Sequence, residues 1–530
     1  MSSPRSFSLY HPVAFWLGCA AIIGGVLAHG PMFLMGRYTH YQMVGMEMDL
    51  PMLVGMALIP LGVALSAYGL FPRIDQLRRA AAGLPPPAFD RADAAALNAE
   101  HWKLVVVLIV ALAVDVLKPA TLGFVMPGMT REYGISKETG GLLALVALTG
   151  TTVGSVVWGR LADVFGRRSA ILLSALMFIG TAICGAMPDF GWNLLMCFLM
   201  GASAGGLLPI AFTLMAETVP AAHRGWLLVA LGGVGTSAGY LLAALAADLL
   251  VPLFSWRSLW LLGLPTGLLI IFLGRYIPES PRFLANAGLP AAAQAVLDRF
   301  AGAAGAGPAA ARADDEAAAA PAASASLLRG AHAPLSWALI AAGLAWGLVN
   351  FGFLLWLPTS LGTMGMAPEQ ANALLARSAL VALPGTALVI WLYHRWSSVK
   401  ALMLFLAMTC ASLLVLAVLG LGTAASAPAL IAASALLLLS ASGVIAMLIP
   451  YAAEIYPVHL RGTGSGLIAA SSKAGGILGA AGGVAGLFAH VTLSALAVAL
   501  PLAVAVALLL RSGVETRGRR LEDIQAEIRG

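Results

Sequence analysis

Residues 217–225 read ETVPAAHRG, and residues 454–462 read EIYPVHLRG. Both are E-x-x-P-x-x-x-R-G, both follow an alanine, and they lie 237 residues apart. A pattern recurring at so large an offset marks an internal duplication. Each copy closes an apolar stretch of helical length, and five further such stretches surround it. Working outward, residues 102–284 form one six-helix half and residues 334–512 a second. Between them, residues 285–333 are rich in Ala, Gly and Pro, a composition that buries no core and reads as a flexible linker, with a short surface helix near 292–300. Residues 1–101 add two more apolar stretches, near 12–35 and 50–71, followed by a polar segment. Residues 513–530 form a charged tail. The plan is two bundles, a hairpin in front of them, and about fourteen spans, each needing about 20 apolar residues.

Hydrophobic residues make up 60% of the 530 and charged residues 10%. A soluble domain carries about 45–50% apolar and about 25% charged residues, so a soluble enzyme, a disordered chain and a nucleic-acid module are excluded. The runs are continuous rather than alternating, which rejects a β-barrel. Lipid leaves the backbone no other partners, so the chain is an all-α polytopic membrane protein whose first partner is the bilayer. Of its thirty Lys and Arg, threading from a cytoplasmic N-terminus puts twenty-three in cytoplasmic segments and four (Arg37, Arg131, Lys137, Arg257) opposite. By the positive-inside rule both termini and the linker are expected in the cytoplasm. Cys19, Cys184, Cys197 and Cys410 lie in apolar stretches without a C-x-x-C pair and read as small packing residues. The first apolar stretch shows no cleavage site.

The loop between the second and third core helices reads GRLADVFGRR (159–168). Its glycines permit close helix ends, and Asp163 suits charge-assisted bonds from guanidinium groups. The G-x-x-x-D-x-x-G-R-R spacing of Gly159, Arg160, Asp163, Gly166, Arg167 and Arg168 resembles the major facilitator superfamily. PESPR (278–282), after core helix six, is similar to the signature of its sugar-porter-type members. LGFVMP (122–127), GGLLP (205–209) and NFGFLLWLP (350–358) resemble the metabolite:proton symporters, which include nicotinate, aromatic-acid and synaptic-vesicle-type carriers. The resemblance implies a twelve-helix major facilitator fold, here with an N-terminal two-helix extension, working by alternating access as a monomer in a bacterial inner membrane. It also implies no enzymatic activity, no cofactor beyond a coupling proton, and uptake of small organic acids. The chain departs from that branch where its D-G-Y-D becomes DVLK (115–118), where an Arg becomes Cys197, and where the loop 393–400 lacks the Gly and Asp of the basic motif.

Ionisable residues at membrane depth face a cavity or one another. Here they are Asp115, Lys118, Arg377 and Lys473. Asp115 and Lys118 share a helix face and are assigned to proton coupling, with a structural ion pair as the competing role. Arg377 and Lys473, with Asn350 and Tyr240, are assigned to an anionic small-molecule substrate; snorkelling competes with that role for Arg377. Asp163, Arg167, Glu217, Arg224, Glu279, Arg282, Glu454 and Arg461 end helices on the cytoplasmic side and are expected to form a gate network with Gly159, Arg160, Gly166 and Arg168. The front hairpin carries His29, Met32, Met35, His40, Met43 and Met46, with Met48, Met52 and Met56 beyond them. No metal site is assigned there, but thioethers and imidazoles suit soft metals, so a copper importer stands beside the leading reading of proton-coupled symport of a carboxylate. The same sequence features are compatible with an organic-acid exporter and with a non-transporting membrane sensor.

Overall fold

Fourteen helices of the described residues are long and apolar enough to cross a membrane, and no strand occurs among them. This computed structural model describes residues 10–71, 95–301, 327–421, 426–456, 458–488, 490–517, 524, 527 and 528. The polar segment at 72–94 and most of the expected linker, 302–326, lie outside the described residues.

The front hairpin is α1 (Pro12–Leu27), a short α2 (Gly30–Met35) and α3 (Leu50–Leu70). The first six core spans run through α4 (Ala99–Tyr133), α5 (Lys137–Phe165), α6 (Arg167–Gly180), α7 (Phe190–Ala204) with α8 (Leu207–Thr218), α9 (Ala221–Phe254), and α10 (Ser258–Leu261) with α11 (Gly263–Leu273). Two short helices follow, α12 (Pro281–Asn286) and α13 (Pro290–Ala301). The last six spans are α14 (Ala333–Gly347) with α15 (Leu355–Thr363), α16 (Pro368–Ala382) with α17 (Gly385–Arg395), α18 (Ser398–Leu421), α19 (Ala427–Ile455), α20 (Val458–Val484) and α21 (Val491–Ser512). Several helices outrun their apolar cores. The second core span, α5, runs on to Phe165 into the polar GRLADVF stretch, because backbone hydrogen bonding continues past the point where the side chains turn polar.

The chain forms two compact units. One takes its described residues from Met1–Pro119, Thr149–Leu227 and Leu253–Ala311. Its tightest contacts use glycine, because helices in lipid gain little from apolar burial and must gain from close packing. Gly18 and Gly25 on α1 face Gly55, Gly62 and Gly69 on α3 at seven-residue steps. A Cβ on Gly25 would stand 2.6 Å from the Gly55 carbonyl oxygen, and one on Gly62 2.7 Å from that of Gly18. Ile59 of α3 then fills the notch at Gly180 of α6, docking the hairpin on core helix three. Gly150 and Gly154 of α5 leave no room for a Cβ against the Phe198 and Ala202 carbonyls of α7. The expected surface helix appears as α13, whose Ala293, Leu297 and Phe300 are buried. Asn98 donates to the Phe300 carbonyl at 2.7 Å, and Arg299 Nε to Glu100 at 2.6 Å.

The other unit takes its described residues from Ala120–Leu148, Leu228–Pro252 and Arg312–Gly530. Gly343 and Gly347 of α14 press against Ser471, Ser472, Gly475 and Gly476 of α20. Just beyond this crossing the seventh core helix changes pitch, and Leu348–Leu354 form a π-turn before α15 resumes. Trp356 is wedged between Gly141 and Gly483.

Candidate functional site

At the start of α6, Gly166 sits at φ 100°, a backbone conformation open to glycine, and a Cβ there would strike the Glu279 carboxylate. That contact explains the glycine of the basic loop motif. Glu279 reaches back across the helix end, and its Oε1 accepts from the backbone N–H groups of Arg167 (2.7 Å), Ser280 (2.9 Å) and Arg168 (3.4 Å). An acid at a helix N-terminus satisfies donors the helix cannot use itself. The Ser280 hydroxyl donates to Glu217 and also accepts from the Phe283 N–H at 3.0 Å, capping α12. Arg167 lies 3.3 Å from Asp163 and 3.6 Å from Glu217 and donates to the Ala162 carbonyl at 3.1 Å. Arg224 donates to the Val219 carbonyl at 3.3 Å. Burial pushes the Glu279 carboxyl up to about 7, only partly offset by the N–H donors and the Arg167 charge.

The other unit repeats this construction with different residues. Glu515, 236 residues beyond Glu279, accepts from the Ser398 N–H (3.0 Å) and hydroxyl (2.6 Å) at the start of α18, from the Ser397 hydroxyl, and from the Arg517 N–H (2.9 Å). Thr516 follows it as Ser280 follows Glu279, and its hydroxyl donates to Glu454 at 2.6 Å. Tyr393 also donates to Glu454, at 2.9 Å. Arg517 holds the Arg395 and Trp396 carbonyls. Burial works to raise the Glu515 carboxyl, but the Ser397 and Ser398 hydroxyls and two N–H donors hold it below the usual value. The loop at 393–400 therefore lacks the basic motif yet keeps the acid that caps the next helix. Glu515, Thr516 and Tyr393 escaped the sequence reading. Their signal was the repeated acid–hydroxyl pair after the last span of each half, ES at 279 and ET at 515. The Arg461 side chain lies outside the described residues. Arg160 is exposed, as is most of Asp163.

The four intramembrane charges fall in both units. In the first, Asp115 is buried at 8% exposure and Lys118 at 0%. Lys118 Nζ donates to the Phe178 carbonyl (2.9 Å) and the Thr181 hydroxyl (2.7 Å) and lies 4.1 Å from the centre of the Phe178 ring. Gly263 stays bare because a Cβ would meet this ammonium at 2.5 Å. In the second unit, Lys473 and Asn350 are half-buried. Lys473 follows Ser472, and Asn350 lies one turn beyond Gly347. Both therefore flank the same glycine-lined crossing, with Asn350 inside the π-turn, a distortion frequent at functional positions. The Tyr240 hydroxyl and, one turn before it, the Ser237 hydroxyl are buried without hydrogen-bond partners among the described residues. Tyr240 lies 5.9 Å from Phe124, ring to ring. Arg377 is exposed, on the stripe that carries exposed Leu380, Val381, Leu388 and Trp391.

A family model described as Major Facilitator Superfamily matches residues 104–480. The chain is 28% identical over 443 residues to the niacin transporter NiaP of Acinetobacter baylyi, covering 80% of this chain and 96% of that protein. It is 34% identical over 195 residues to the 4-hydroxybenzoate transporter PcaK of the same organism, covering 36% of this chain and 42% of that one. Among solved structures it resembles the partially occluded, inward-open xylose transporter XylE from E. coli, with a TM-score of 0.63 and 16% identity over 80% of this chain and 100% of that one. That likeness concerns the fold.

Proposed function

Because the chain belongs to the Major Facilitator Superfamily and is a membrane transporter rather than an enzyme, we propose that it carries a small organic anion, a carboxylate on an aromatic or heteroaromatic ring, together with a proton. The observation that carries this reading is that a half-buried base, Lys473, and a half-buried carboxamide, Asn350, lie on two segments that cross at bare glycines, the second of them inside a π-turn. A base and an uncharged donor at that depth suit a carboxylate, which takes charge-assisted bonds. Niacin and 4-hydroxybenzoate, the acids named for its relatives, are of this class. Tyr240, with its unpartnered hydroxyl, supplies a further polar contact.

Asp115 is the proton carrier in this reading. A carboxyl buried at 8% exposure within a membrane span is rare and marks a functional position, which suits the coupling role. The substrate and proton load from the outer side and alternate access delivers both inward. The excess of Lys and Arg in alternate loops, the linker and the C-terminal tail supports a cytoplasmic side for both termini, which fits a bacterial inner membrane.

Proteoliposomes holding the purified protein test this. Radiolabelled nicotinate and 4-hydroxybenzoate are expected to accumulate under an imposed inward proton gradient and not with an ionophore that collapses it. Asp115→Asn is expected to abolish proton-driven accumulation while leaving exchange of external for internal substrate. Undiminished accumulation by Asp115→Asn removes Asp115 from the mechanism, and absence of uptake across a carboxylate panel removes the substrate class.

A further inference from the structure

The front hairpin lies outside the twelve-helix plan, and the transport reading makes no use of its sulfur-rich end. There Met32, Met43 and Met52 form one buried cluster with Ala186, at 1%, 0% and 0% exposure, and Met46 and Met48 pack against it from partly buried positions. Five thioethers thus gather from three segments: α2, the loop between α2 and α3, and α3. The loop is fixed in place. Gly45 N–H donates to the Pro188 carbonyl at 3.3 Å, and Asp49 caps α3 through the Met52 N–H at 3.0 Å.

His29 adds a nitrogen. It is 2% exposed, and its Nδ1 lies 2.9 Å from the Gly25 carbonyl oxygen. A carbonyl only accepts, so Nδ1 carries the proton and Nε2 is left with a lone pair. That Nε2 is buried and has no hydrogen-bond partner among the described residues. An imidazole whose other nitrogen donates to a backbone carbonyl is oriented as metal-binding histidines are. The ring lies over Gly55 of α3, its Cε1 3.1 Å from where a Cβ would stand. Met32 is one turn after His29 and Met52 one turn before Gly55, so both elements that hold the ring also supply a sulfur.

We infer that His29, Met32, Met43 and Met52 form a binding site for Cu(I). Thioethers are soft, neutral donors that select Cu(I) over Zn(II), Mg(II) or Ca(II). A buried set of neutral ligands accepts one positive charge at far lower desolvation cost than two, and Asp49 supplies the nearby negative charge. The structure redraws the ligand set suggested by the sequence. Met35 and His40 are exposed and drop out, and Met52, on the facing helix, stays as a buried member of the cluster. Gly55 belongs to the site as well, because its missing side chain leaves room for the ring, and Gly25 through the carbonyl that holds Nδ1.

The test uses the full-length protein, purified in detergent under anaerobic, reducing conditions. Cu(I) held by a chromophoric chelator is titrated with protein, and loss of the chelate colour reads transfer. The wild type is expected to take a single Cu(I) per chain. Met43→Leu with Met52→Leu, which nearly conserves volume, is expected to weaken retention by at least about tenfold. Met35→Leu with His40→Ala is expected to retain it as the wild type does. X-ray absorption of the loaded wild type supplies a reading that no variant's folding can confuse, and is expected to show sulfur scatterers together with one imidazole. No transfer to the wild type, equal retention by the Met43→Leu, Met52→Leu protein, or a shell of nitrogen and oxygen alone overturns the assignment.

Discussion

Replacing Glu279 by Gln tests whether the acid at the start of α6 is held there at an electrostatic cost. Oε1 accepts all three backbone N–H groups, and Oε2 has no partner among the described residues. An amide of the same shape keeps the accepting oxygen and puts its nitrogen in the partnerless place. The geometry survives and the titration does not. In the wild type, burial raises the carboxyl from 4.5 to about 7. The folded state therefore binds its proton more tightly than the unfolded chain. The stabilisation this gives is complete below the ordinary value of 4.5 and is lost as pH rises through about 7. The whole interval is worth about 3 kcal/mol, of which about 2 kcal/mol falls between about pH 5 and about pH 8. Relative to the wild type, Glu279→Gln is expected to gain that amount as pH rises, moving its melting temperature upward by several degrees at the alkaline end. Thermal unfolding of the detergent-solubilised pair at one scan rate, across that range, reads the difference. Parallel curves refute the reasoning. So does a variant that melts lower throughout, because that means the N–H groups need the full charge and not merely an acceptor.

Ser280→Ala removes one hydroxyl that both donates to Glu217 and caps α12. It is expected to cost about 2 kcal/mol, read as a lower melting temperature and as faster amide exchange at Phe283. Gly475→Val drives a side chain into the Leu344 carbonyl of α14. Backbone cannot yield as a side-chain tip does, so a loss above about 3 kcal/mol is expected, seen as aggregated rather than monodisperse protein. Gly466→Ala on the same helix meets nothing within 4 Å and is expected to behave as the wild type.

Much of the architecture was legible because the solvent of this protein is lipid. Any stretch that must satisfy its own backbone in hydrocarbon is a long apolar helix, so fourteen spans could be counted from composition, and the E-x-x-P-x-x-x-R-G echo paired the halves. The basic loop GRLADVFGRR was readable for a different reason. Its glycine at φ 100° and the bonds of Arg167 to Asp163 and the Ala162 carbonyl work within a few residues of one helix end, a local requirement that leaves a local pattern, although the carboxylate packed against Gly166 comes from far along the chain. The partner of that loop was half visible. Glu279 belonged to a recognisable signature, but Glu515, doing the same work at α18, has a different neighbourhood and shows its role only through contacts 117 residues away in the chain.

Rotation of the helices was beyond the sequence. A span apolar on every side does not say which face meets protein, so Arg377 reads equally well as a ligand or as an outward-facing residue, and only packing put it on the exposed stripe with Leu380 and Trp391. The π-turn around Asn350 likewise has no composition of its own. Methionine count marked the hairpin, while only the packing of α2, the following loop and α3 separated the buried Met32, Met43 and Met52 from the exposed Met35. The chain by itself determined how many helices there are, how they repeat and which ends carry the charge, since each of these is imposed by water and lipid on one segment at a time. The tertiary structure decided which side chains meet, since that depends on helix rotation and close approach between segments far apart in sequence.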